Sequence, residues 1–122
     1  MPETINNAVV FITCPGGSNV SLMSYKAASV LEQDGCGKFV KLAGDKFKER
    51  DLQRVADAAK YAKKWVLIEG CTKGCGKAIL DEAGINPDEH LVVTDIGIER
   101  ENKTNYSKEE LDRVLTAVKA TL

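Results

Sequence analysis

Short apolar runs alternate with amphipathic segments along this chain, and no other feature limits its fold as strongly. Ala8-Val9-Val10-Phe11-Ile12, Trp65-Val66-Leu67-Ile68 and Leu91-Val92-Val93-Thr94 are near-continuous apolar runs of strand length, as expected of strands covered on both faces. Lys38-Phe39-Val40-Lys41-Leu42 alternates instead and reads as a strand nearer a sheet edge. Between these runs, Leu22 to Gln33 repeats Met23, Ala27, Val30 and Leu31 at helical spacing, and Asp51 to Lys63 repeats Leu52, Val55, Ala56 and Ala59. A short helix from Lys77 to Ala83 is expected to stop at Gly84. A final one follows the capping box Ser107-x-x-Glu110, with the stripe Leu111, Val114, Leu115, Val118 and Leu122. The succession predicts an α/β fold: one three-layer α/β/α domain around a mostly parallel four-stranded sheet, Rossmann-like or flavodoxin-like.

At 122 residues, with no linker, repeat or low-complexity segment, residues 1–122 are expected to form one domain. Seventeen basic and eighteen acidic residues are spread without a Lys/Arg cluster, so charge nominates neither nucleic acid nor an acidic membrane as a partner. The mixed run Lys46-Phe47-Lys48-Glu49-Arg50-Asp51 reads as the solvated start of a helix. The chain shows no secretory leader pattern and no apolar stretch near the ~20 residues of a membrane span, which points to the cytoplasm. In a reducing compartment its four cysteines are better suited to metal or redox chemistry than to structural disulfides.

Ligand sites in open parallel sheets lie beyond the carboxyl ends of the strands. Cys14 follows the first apolar run, Cys71 follows Trp65 to Ile68, and Cys75 lies four residues further on in Ile68-Glu69-Gly70-Cys71-Thr72-Lys73-Gly74-Cys75-Gly76. Three thiols can therefore face one small volume. The surrounding glycines suit close backbone approach to a bound group, whereas cysteines that only pack as small hydrophobes need no such collar. Cys71-x-x-x-Cys75 alone supplies half of a tetrahedral site; Cys14 and one further donor would complete a thiolate-rich centre for zinc, or for an iron-sulfur cluster.

The segment Cys14-Pro15-Gly16-Gly17-Ser18-Asn19-Val20-Ser21 runs from strand into helix, where free N–H groups favour anions and the macrodipole favours a thiolate. Cys14 is thus the best nucleophile candidate, and a thiol redox or sulfur-transfer enzyme with Cys71 or Cys75 as resolving thiol is the alternative reading. Val20 stands where a Cys-x5-Arg phosphatase loop needs arginine. The chain also lacks a Walker ending and a Cys-x-x-Cys pair. His90 reads as a solvent-facing loop residue at the amino end of the sheet, and the acid pairs Asp81-Glu82 and Glu109-Glu110 as helix surface or caps.

These segments, with Tyr25 to Gly44 and Leu91 to Arg100, together resemble the DGC-domain family over nearly the whole chain. The family's Asp-Gly-Cys motif stands here as Glu69-Gly70-Cys71. The resemblance implies zinc binding by four cysteines, of which Cys14, Cys71 and Cys75 match by motif. The family's segment after the second strand often opens on cysteine, whereas this chain has Lys41-Leu42-Ala43-Gly44 there. Cys36, five residues earlier, is the remaining candidate. Either the site holds three thiolates and a further ligand, or the second strand is displaced and Cys36 reaches it. Beyond the metal ion, the resemblance leaves a protein partner in metal, sulfur or redox handling as an expectation and names no reaction.

Overall fold

The computed structural model describes residues 8–14, 16, 18–44, 47–70 and 74–122, with Cys75 described by its backbone. The elements follow in the order β1 (Val9–Thr13), α1 (Asn19–Gln33), β2 (Lys38–Val40), α2 (Lys48–Ala59), β3 (Lys64–Glu69), α3 (Cys75–Glu82), β4 (Glu89–Val92), a 3-10 turn (Val93–Ile96) and α4 (Lys108–Lys119). The four strands form one parallel sheet in the order β2-β1-β3-β4. This is the order of the first four strands of a flavodoxin-like sheet, and it confirms the α/β expectation.

Strand alternation divides the core into two layers. Phe11, Phe39, Val66 and Ile68 face α1 and α4, where Val20, Met23, Ala27, Leu31, Val114 and Val118 meet them. Val10, Ile12, Val40, Trp65 and Leu67 face α2 and α3 through Val55, Ala58, Ile79 and Leu80. Each fully buried side chain of this size contributes on the order of 2 kcal/mol relative to exposure. Among the described residues no helix is long and apolar enough to cross a membrane.

Because α1 leads to β2 on one side of β1 and the chain then returns to β3 on the other, the direction of winding reverses between β1 and β3. At such a reversal the loops leaving the two carboxyl ends diverge and leave a crevice.

Several boundaries differ from the sequence expectation, α3 beginning at Cys75 and β2 ending at Val40 among them, and three of the differences bear on the site. α1 starts at Asn19 because Ser18 caps it, its hydroxyl accepting the Ser21 N–H at 3.4 Å. β4 starts at Glu89 and ends at Val92, so His90 lies within it opposite Leu67; Thr94 then turns its N–H to the Gly70 carbonyl at 3.1 Å. α2 begins at Lys48, and of its polar first turn Asp51 is not solvated but fully buried. Lys46, in the same run, lies outside the described residues. The expected capping box of α4 is present, with Ser107 and Glu110 exchanging two backbone bonds.

Candidate metal centre

Cys14 leaves β1 at its carboxyl end and is 9% exposed. Its sulfur accepts the Gly70 N–H at 3.1 Å, which ties the end of β1 to the residue immediately before Cys71. The thiol also lies 3.6 Å from the Ser21 hydroxyl in the first turn of α1, and Ser21 in turn is 3.1 Å from the Ser18 hydroxyl. A hydroxyl can rotate from acceptor to donor, so this pair can serve either a thiol or a thiolate.

Gly70 is held from both sides: its N–H goes to Cys14 and its carbonyl accepts the Thr94 N–H. A Cβ at this position would lie 2.7 Å from the Ser21 nitrogen and 2.9 Å from the Val20 carbonyl carbon, both backbone atoms. Close approach of two backbones therefore requires glycine here.

Cys75 opens α3. At the next residue, Gly76, a Cβ would meet Leu67 at 2.9 Å, Glu69 Oε1 at 3.1 Å and the Cys14 nitrogen at 3.6 Å. The first turn of α3 thus sits directly over the start of the Cys14 segment. The chain positions of Cys14, of Gly70 before Cys71, and of Cys75 converge at the crevice between β1 and β3. Cys71 itself, the Cys75 side chain, Pro15 and Gly17 lie outside the described residues. Among the described residues no group of three or more His, Cys, Asp or Glu side chains is arranged to hold a metal ion.

Cys36 lies elsewhere. β2 begins at Lys38 opposite Val10, so the strand is not displaced and Cys36 precedes it at the amino end of the sheet. The five residues of β1, about 17 Å of strand at ~3.3 Å per residue, separate that end from Cys14. Cys36 donates its N–H to the Leu31 carbonyl and packs, partly buried, against the core layer under α1. Cys14 and Cys36 are both free thiols. Lys41 places its ammonium 5.7 Å from the Tyr25 ring centroid and 6.0 Å from that of Phe39, a cation–π arrangement.

Two residues at this end of the sheet escaped the sequence reading. Glu69 is 1% exposed; its Oε1 accepts the Lys77 N–H at 2.8 Å and its Oε2 pairs with His90 Nε2 at 2.9 Å. His90 is therefore solvent-facing as expected, but it is a strand residue on the α3 side of the sheet and not a loop residue at the amino end. The lost signal was the extent of β4, since the apolar run begins only at Leu91. Asp51 accepts the N–H groups of Ala43 and Gly44 at 2.7 and 3.0 Å. Its spacing from Val55 and Ala58, four and seven residues on, puts it on the buried stripe of α2 and was the available signal.

Through those bonds Asp51 fixes one wall of a recess of about 340 Å³ that opens beside Cys14, lined also by Thr13, Ser21, Leu22, Tyr25 and Leu42. A larger recess of about 650 Å³ runs along α4 between Ile96, Lys108 and Arg113, with no cysteine or histidine in its wall. Chemistry, not volume, selects the smaller one.

The fold and this convergence define a small α/β protein with a cysteine-bearing crevice at the β1/β3 reversal. The model of the DGC domain matches residues 10–118, and the chain belongs to that family. No curated protein and no solved structure matches it.

Proposed function

We propose that the protein binds one zinc ion through the thiolates of Cys14, Cys71 and Cys75, with Cys36 outside the set. The supporting observation is the Gly70 N–H to Cys14 Sγ bond, which brings the residue preceding Cys71 against the Cys14 sulfur. The donor set fits the metal: soft thiolates select zinc, and a ligating sulfur that accepts a backbone N–H has the outer-shell support that orients a ligand. Zinc supplies Lewis acidity and a template for a fourth ligand.

Three protein ligands leave one position for water or an incoming donor, a feature of catalytic and transfer sites, not of closed structural ones. The recess beside Cys14 gives a small ligand a route toward that sulfur. We infer a cytoplasmic protein that handles metal or sulfur together with a protein partner, because thiolate sites of this kind persist where thiols stay reduced.

The same recess favours a second reading, in which Cys14 attacks and Cys71 or Cys75 resolves a disulfide or persulfide. Cobalt substitution separates the two. On the zinc reading, reduced protein takes up one Co(II) with intense sulfur-to-metal charge transfer and tetrahedral d–d bands, and Cys14→Ser lowers both. Metal-free protein that ignores Co(II) but forms a Cys14 mixed disulfide would instead support the thiol enzyme, and iron with acid-labile sulfide would identify a cluster.

A further inference from the structure

We propose that His90, acting through Glu69, is the positioning residue that sets the first turn of α3 and with it Cys75. Helix α3 has eight residues and takes Gly74 as its N-cap, so it lacks a capping side chain of its own. The Glu69 carboxylate, arriving from the end of β3, substitutes for one. Its Oε1 accepts the N–H of Lys77, the third residue of the helix, which is the bond an N-cap serine or aspartate would make.

Burial makes the second oxygen decisive. Glu69 is 1% exposed, so its Oε2 needs a protein partner; His90 Nε2 lies 2.9 Å away and, in the tautomer that carries its proton there, donates to it. Removing that donor leaves a buried carboxylate half-satisfied and free to turn toward solvent past His90, whose own side chain is 34% exposed. A turn of the carboxylate is transmitted at once. Oε1 would lie 3.1 Å from a Cβ at Gly76, and that same position lies 3.6 Å from the Cys14 nitrogen, so the cap, the start of α3 and the Cys14 segment form one contact chain.

Where the metal reading holds, this pair is an outer-shell support of the zinc site, and such supports change metal affinity by roughly 10–100-fold. The positioning role itself concerns metal-free protein and is tested there as well. Wild type, His90→Ala and His90→Gln are compared by amide hydrogen exchange of Lys77 in reduced, metal-free protein, with Leu31, buried in α1 on the other face of the sheet, as reference, and by zinc affinity in chelator competition.

The expected result is Lys77 exchange about tenfold faster in His90→Ala with Leu31 unchanged, and zinc binding about tenfold weaker. His90→Gln, whose amide can donate to the same oxygen, restores both. Unchanged Lys77 exchange in His90→Ala overturns the proposal, as does acceleration that His90→Gln fails to restore. If wild type takes up no zinc, the metal reading fails by itself, and Lys77 exchange alone decides the role of His90.

Discussion

Cys14 and Cys36 are the same side chain at the two ends of one parallel sheet, and their surroundings differ in kind. At the carboxyl end, Cys14 meets the Gly70 N–H, the Ser21 hydroxyl, itself paired with Ser18, and the start of α3 at Gly76. At the amino end, Cys36 packs as a small hydrophobe against the core layer under α1, and its own N–H closes the end of α1 on Leu31. Parallel strands send every β-to-α loop to one end, so that end accumulates free N–H groups and converging side chains, and the other does not. Residue type alone does not make a ligand; the end of the sheet does.

The sharpest way to break the contrast is to remove each thiol. Cys14→Ser is expected to weaken zinc binding by more than about a hundredfold, since a site worth ~10 kcal/mol or more loses one of its few ligands. Cys36→Ser should leave affinity within about threefold and cost only packing. Titration with a chromophoric chelator reads both. Equal losses at the two positions would erase the distinction.

Next in size is Asp51→Ala, which orphans the Ala43 and Gly44 N–H groups and is expected to cost about 2–4 kcal/mol in urea unfolding. Asp51→Asn keeps one acceptor and should lose less. Gly70→Ala sharpens the comparison further: its Cβ would press on the backbone at Ser21 and Val20, for an expected loss of about 1–3 kcal/mol. Because Gly70 also donates to Cys14, that variant should make the Cys14 thiol react faster with an alkylating agent while leaving Cys36 unchanged.

The smallest effect lies away from both ends. Ser107→Ala removes the cap of α4 and should cost about 1 kcal/mol. The Ser107 backbone N–H holds the Glu110 carboxyl below its ordinary range. A folded-state pKa lowered in this way stabilises above the unfolded value, and the contribution is lost as pH falls through the folded one. Circular dichroism should therefore show α4 fraying in acid, with less pH dependence in Glu110→Gln, which removes the titrating carboxyl. Ser107→Ala should not alter zinc affinity at neutral pH.

Much of this molecule was legible in the sequence where a local rule and the global fold agree. Apolar runs such as Val9 to Ile12 gave the strands, and the Ser107 capping box gave α4. The approach of Gly70 to Cys14 followed from the places of their segments after β3 and β1. What stayed hidden were polar residues whose partners are distant in sequence. Glu69 finds Lys77 and His90 across two loops, and Asn19, fully buried, holds the segment at Glu99 and Glu101 through its side-chain amide. Periodicity marks which face a residue occupies, but a buried carboxylate or amide is explained only by the partner that satisfies it. The edges of β4 were misjudged for a related reason, since hydrogen bonding to β3, not hydropathy, sets where it begins.

The most direct test of the account is zinc stoichiometry on anaerobically purified, untagged protein, combined with mass-spectrometric mapping of thiols alkylated before and after chelation. The account predicts one zinc per chain, Cys14, Cys71 and Cys75 protected until the metal is removed, and Cys36 labelled in the same way with or without it. Protein that binds no zinc, or a zinc form in which Cys36 is protected and Cys14 is labelled, would contradict it.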